Sequence, residues 1–119
     1  MKDYIQLIRP KDWAKNLFLF VPLFFAGLFF NTNLLVLLFE GFISFSLVAS
    51  SIYIINDYRD IEDDQKHPVK KLRPLASGSV KKSTGMAIAL LFLALGFTGA
   101  WLIRDKFLFV LAIYFILNL

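Results

Sequence analysis

The chain has no cysteine and only one histidine in 119 residues. Without cysteine there are no disulfides and no thiolate metal sites, and redox gives no clue to compartment. No Walker loop, no GxGxxG fingerprint and no nucleophilic triad occurs, so the familiar nucleotide-binding and triad-hydrolase signatures are missing. Polar sequence is scarce as well. Residues 56–83 form the only long polar stretch, and neither an internal repeat nor a low-complexity segment is visible beyond a general Phe/Leu bias.

Apolar sequence is abundant instead. The chain is 58% hydrophobic with 14 Phe, its mean hydropathy is +0.65, and its charges are bunched. Four apolar runs stand out, at 13–30, 34–55, 86–103 and 107–119. The first three have the roughly 17–25 residues a spanning helix needs. The last reaches only about 20 Å at 1.5 Å per residue, short of the hydrocarbon thickness. The expected fold class is therefore all-α, a polytopic transmembrane helix bundle with three complete spans and a truncated fourth. The chain reads as the N-terminal part of a longer membrane protein or the product of a truncated gene. A complete protein with a re-entrant or buried last helix is the alternative.

The first run is not a signal peptide. It follows mixed-charge residues, carries Pro22, and has no small-x-small cleavage pattern before Asn31. Residues 3–9 predict a short interfacial helix with Tyr4, Ile5, Leu7 and Ile8 toward lipid, ended by Pro10, with Trp13 at headgroup level. Asn31-Thr32-Asn33 predicts a tight helical hairpin. Glu40, well inside the second run, reads as a structural or snorkelling residue.

The +4 net charge is a topology signal. Lys2, Arg9, Lys11 and Lys15 lie at the N-terminal side of the first span. Arg59, Lys66, Lys70, Lys71, Arg73, Lys81 and Lys82 lie between spans two and three, and only Arg104 and Lys106 lie elsewhere. The positive-inside rule puts the N-terminus and the 56–83 loop in the cytoplasm. A nucleic-acid partner is excluded, because the apolar runs leave no lipid-free basic face.

The chemistry sits where the second run ends, in Asn56-Asp57-Tyr58-Arg59-Asp60-Ile61-Glu62-Asp63-Asp64. Carboxylates this dense at a membrane edge repel one another unless a cation holds them. On a continued helix Asp57, Asp60 and Asp64 share a face at i, i+3 and i+7, while Glu62 and Asp63 point elsewhere. Three convergent carboxylates are a hard-cation site, and Mg2+ with a substrate diphosphate is its natural occupant. Lys66, Lys70, Lys71 and Arg73 follow within one loop and would neutralise the remaining phosphate charge. A juxtamembrane charge patch holding anionic headgroups explains the same residues. Upstream, Ser46, Ser50 and Tyr53 continue the Asp57 stripe. Their hydroxyls either bond back to the i−4 carbonyl and ease helix packing or line the same cavity as the aspartates. His67, beside Pro68, reads as a solvated or capping residue and not a general base. His67-Pro68 and Arg73-Pro74 predict helix breaks, and Ser77-Gly78-Ser79 a turn.

The Asn56-Asp57-x-x-Asp60-x-x-x-Asp64 pattern resembles the first aspartate-rich motif of the UbiA-type intramembrane prenyltransferase superfamily. Arg9-Pro10-Lys11-Asp12-Trp13-Ala14-Lys15-Asn16 and His67-Pro68-Val69-Lys70-Lys71-Leu72-Arg73-Pro74-Leu75-Ala76-Ser77-Gly78 resemble its polyprenyl-phosphate phosphoribosyltransferase branch, the decaprenyl-phosphate type. The resemblance implies a nine-helix bundle with a cytoplasm-facing site in the plasma membrane of a prokaryote. It implies Mg2+ on Asp57, Asp60 and Asp64, Asn56 as a polar partner, and Lys15, Lys70 and Arg73 as phosphate contacts. The implied substrates are a diphosphate donor and a polyprenyl lipid. The implied reaction is 5-phosphoribosyl transfer from phosphoribosyl diphosphate to polyprenyl phosphate, in cell-wall precursor biosynthesis. Prenyl transfer from a polyprenyl diphosphate to an aromatic or other acceptor would use the same metal site. An inactive membrane fragment or adaptor is the non-enzyme alternative. Family members are roughly twice this length or more and carry a second acidic motif that is not found here.

Overall fold

A computed structural model describes residues 2–20, 27, 32–103 and 105–118, and every regular element among them is helical. The order is α1 (Lys2–Ile8), a 3-10 helix (Pro10–Phe20), α2 (Thr32–Arg59), α3 (Ile61–Gln65), a 3-10 turn (Lys70–Leu72), α4 (Pro74–Ser77), α5 (Lys82–Ile103) and α6 (Asp105–Asn118). The expected all-α class is what is found. Two helices are long and apolar enough to cross a membrane, over Leu35–Arg59 and Lys82–Leu102. Of the first predicted span, the opening residues form the 3-10 helix, while 21–26 and 28–30 lie outside the described residues, as does Asn31 of the predicted hairpin. Thr32 and Asn33 belong to the first turn of α2.

The bundle is organised around α2 and α5. Lipid supplies no hydrophobic drive for two apolar helices to associate, so close contact needs small residues at the crossing. Gly96 and Gly99 of α5 provide them. A Cβ built on Gly96 would lie 2.6 Å from Val48 Cγ2 and 3.0 Å from the Ser44 carbonyl; one on Gly99 would lie 2.5 Å from Ser44 Oγ. Around this crossing Val48, Ile52, Ala100 and Leu111 are buried, with Phe45, Leu93, Phe97, Tyr114 and Phe115 packed against them. Tyr114 of α6 stacks obliquely on Phe45 at 4.4 Å between centroids, and Phe115 meets Phe97 edge-on at 6.0 Å. The outer face of α5 stays apolar and exposed, with Leu90, Leu91, Leu95, Trp101 and Leu102 on it. Glu40 is exposed on the surface of α2.

A second cluster forms at the polar end. Leu7, Ile54, Ile61, Leu75, Val80 and Ala89 are buried together. This corrects the expectation for α1, whose Leu7 points inward and is fully buried. Only Tyr4 and Ile5 keep the exposure expected of a lipid-facing side. Burying Leu7 contributes about 2 kcal/mol, enough to pin a seven-residue helix that has little stability of its own. The loop then runs through short pieces. Arg73 is extended (φ −60°, ψ 144°) before Pro74, as the residue preceding a proline should be. Gly78 closes α4 in the left-handed region at φ 83°.

Candidate functional site

The polar stripe on α2 is covered by the N-terminal segment. Asn16 Nδ2 donates to Ser46 Oγ (2.9 Å), Trp13 Nε1 donates to Ser50 Oγ (2.8 Å), and Ser50 Oγ donates to the Ile8 carbonyl (2.7 Å). One step further along, the Arg9 guanidinium lies 5.0 Å from the centre of the Tyr53 ring and donates to Asp57 Oδ1 at 2.7 Å. The register has a simple origin. Three residues of 3-10 helix advance about 6 Å at 2.0 Å each. Four residues of α-helix also advance about 6 Å at 1.5 Å each. Trp13 and Asn16 are therefore spaced to meet Ser50 and Ser46 on an antiparallel neighbour. Neither reading of these serines anticipated this: they anchor another segment. Trp13 likewise serves as a donor to α2, and among the described residues no buried side-chain nitrogen or oxygen lacks a partner.

At the end of the stripe, two carboxylates are buried. Asp57 and Asp64 are 3% and 4% exposed, and burial of unpaired charges would cost several kcal/mol per ion. Guanidinium groups offset that cost. Asp57 Oδ1 accepts from Arg9 and, at 3.3 Å, from Arg73 Nη1, which also reaches Asp64 Oδ2 at 3.3 Å. Two acids and two arginines make a charge-balanced group where the end of α2 meets α3, the residue after α1 and the residue before α4.

The helical face explains which aspartates meet. At about 100° per residue, Asp64 falls roughly 20° from Asp57 around the axis, whereas Asp60 falls about 60° away. Helical bonding carries through the junction, since Asp60 N bonds Asn56 O and Asp64 N bonds Asp60 O (3.0 and 2.7 Å). Asp60 itself sits in the turn between α2 and α3 (φ −93°, ψ 10°), with its side chain exposed. The three-way convergence expected of Asp57, Asp60 and Asp64 is thus a pair, and among the described residues no group of three acidic, His or Cys side chains is disposed to hold a metal ion. The donor set still suits magnesium, which takes oxygen ligands and binds through one or two carboxylates plus substrate phosphates. Asp57 and Asp64 supply two such carboxylates.

A cavity of about 770 Å³ opens beside Asp57, within the range of small-molecule sites. Its polar lining includes Arg9, Lys11, Asp12, His67, Lys70 and Arg73. Of the residues expected to contact phosphate, Lys70 and Arg73 line this cavity. Lys15 is exposed on the 3-10 helix, and neither it nor Asn56 lines the cavity. His67 Nδ1 accepts from the backbone N–H groups of Val69 and Lys70, both at 3.1 Å. It caps the turn that carries Lys70, as its capping reading had it. Arg9 and Lys11 were missed as site residues. Arg9 meets a partner 48 positions away, and no local spacing signals such a pair.

Comparison with known proteins identifies a family. The family model described as the UbiA prenyltransferase family matches residues 16–119. A decaprenyl-phosphate phosphoribosyltransferase of Mycobacterium tuberculosis is 34% identical over 119 residues, covering 97% of this chain and 39% of the relative. One from Corynebacterium glutamicum is 40% identical over 96 residues, 77% of this chain and 29% of the relative. An uncharacterised protein of Sinorhizobium fredii is 34% identical over 119 residues, 100% of this chain and 23% of the relative. The chain spans well under half the length of each of these relatives. With the aspartate pair at the end of a membrane-length helix and a family match over most of its residues, the chain belongs to the UbiA prenyltransferase family.

Proposed function

We propose that this chain carries the diphosphate-binding half of a membrane transferase that moves a 5-phosphoribosyl group from phosphoribosyl diphosphate to a polyprenyl phosphate. The observation that carries the reading is the buried Asp57–Asp64 pair, bridged by Arg73, at the edge of a cavity rich in cations. Similarity to two phosphoribosyltransferases that act on decaprenyl phosphate supports the substrate class.

The chemistry is a displacement at the anomeric carbon. A lipid phosphate oxygen forms the new C–O bond, and the diphosphate departs with the electron pair of the old one. Asp57 and Asp64 would hold magnesium. When bound, that ion stabilises charge on the departing diphosphate. Arg73 and Lys70 neutralise the outer phosphate oxygens through charge-assisted bonds, and the His67 cap holds the Lys70 turn in place. The apolar surface of α2 and α5 lets the lipid tail approach from the bilayer. The basic residues around the 56–83 loop support a cytoplasmic position for this site by the positive-inside rule.

A second reading, prenyl transfer from an allylic diphosphate, is favoured by the family's own description. Incubating the membrane-embedded protein with magnesium and each radiolabelled donor separates the two. Label moving from phosphoribosyl diphosphate into a polyprenyl phosphate is the expected result. Label moving only from a prenyl diphosphate would overturn the phosphoribosyl assignment.

A further inference from the structure

We infer that the Arg9–Lys11 turn is one jaw of an anion-binding clamp, joining Lys70 and Arg73 around a single phosphoryl group. The inference rests on the donor reading above only for the nature of the anion. The two jaws come from segments about sixty residues apart in sequence and meet around one cavity. Four cations, Arg9, Lys11, Lys70 and Arg73, line it against two carboxylates, Asp12 and Asp57. Among the described residues Lys11 and Lys70 have no ion-pair partner, so the positive surplus faces the cavity.

Arg9 itself is placed at a backbone cost. Its φ of 59° makes it the one non-glycine residue with positive φ among those described. Its N–H bonds the Ile5 carbonyl at 2.9 Å, which closes α1 in the manner usually given to glycine. Such strain persists where surrounding structure over-determines it, and it clusters at ligand sites. Here the Ile8 carbonyl is tied to Ser50 and the Arg9 carbonyl accepts from Asp12 N at 3.0 Å. The side chain that results lies over Tyr53, spends one donor on Asp57, and remains 23% exposed. A guanidinium has five N–H donors in a fork suited to phosphate oxygens. With Arg73 anchored to the same Asp57 oxygen, the two guanidinium groups are held side by side. A tetrahedral dianion fits that pairing better than any neutral ligand.

The competing account gives Arg9 only the task of neutralising Asp57 and ending α1. Arg9→Gly keeps the turn, because glycine adopts positive φ without strain, and removes the guanidinium. Lys11, which has no part in neutralising Asp57, then separates the two accounts. Lys11→Gln, at an exposed position, tests the same jaw without removing any of the bonds that dock the segment on α2. The measurement is equilibrium dialysis of the full chain in detergent micelles with labelled inorganic diphosphate, first in excess EDTA and then with magnesium restored. Lys82→Gln, outside the cavity, is the control. Wild type and Lys82→Gln should bind alike in EDTA. Arg9→Gly should bind about tenfold more weakly, the loss of one charge-assisted contact, and Lys11→Gln several-fold more weakly.

Wild-type affinity in Arg9→Gly overturns the clamp. So does weakened binding in Arg9→Gly with none in Lys11→Gln, which leaves Arg9 a docking residue. Binding seen only after magnesium is restored also overturns it, because the anion then rests on the metal alone. A wild type that binds no diphosphate under either condition overturns the donor reading itself.

Discussion

Asp57 accepts two guanidinium groups on one oxygen while almost wholly excluded from solvent. Removing its charge leaves Arg9 without a counter-ion and Arg73 paired with Asp64 alone, which should cost about 3 kcal/mol of stability. Asp57→Asn should also abolish magnesium-dependent transfer, by about a hundredfold or more in kcat. Asp63→Asn, at an exposed position, should change kcat by less than about threefold. Steady-state assays of the two variants in membranes check this pair, and equal losses would mean that the working face of the helix is misassigned. Asp60→Asn is expected to retain the fold of wild type, since its exposed carboxylate has no packing role to lose.

At this scale the sequence was informative in proportion to how local each interaction is. The seven-residue step between Asp57 and Asp64 follows from helical period alone. Asp60, about 60° from Asp57 around the axis and exposed in the turn between α2 and α3, does not join them: a shared helical face is broader than the one direction in which two carboxylates meet. The roles of Ser46 and Ser50 were out of reach for a related reason. A hydroxyl on a membrane helix shows that something polar must be satisfied, without showing which segment will satisfy it.

Among the elements, the crossing of α2 and α5 is set by glycine. Gly96→Ala would push a methyl group to 2.6 Å from Val48 Cγ2 and 3.0 Å from a backbone carbonyl, and the backbone atom cannot rotate away. The expected cost is about 1–3 kcal/mol. Leu95→Ala, on the exposed outer face one residue earlier, should cost far less. Unfolding in mixed micelles with increasing SDS orders the two variants; a Gly96→Ala protein as stable as wild type would show that the helices cross elsewhere. The lengths and apolar character of α2 and α5 were plain from hydropathy. The 3-10 geometry of Pro10–Phe20 was not, because it is selected by the match of its rise to the serine spacing on α2, a tertiary property. The inward turn of Leu7 was hidden for the same reason: a seven-residue amphipathic helix shows an apolar side and not what that side meets.

For the molecule as a whole, the charge asymmetry gives an orientation that can be tested cleanly. The chain has no cysteine, so single-cysteine variants start from a silent background. Lys66→Cys in the exposed loop should react with a membrane-impermeant maleimide only after the cytoplasmic face is opened. Labelling in sealed, right-side-out cells would reverse the topology and put the aspartate pair on the far side.

The central claim is that the Asp57–Asp64 pair and the cationic cavity beside it take up a magnesium–diphosphate donor. Isothermal titration of phosphoribosyl diphosphate into the detergent-solubilised protein, with and without magnesium, tests it most directly. Saturable heat that is strengthened by magnesium and lost in Asp57→Asn is the predicted result. No magnesium-linked uptake by the wild type, or uptake undiminished in Asp57→Asn, would contradict it.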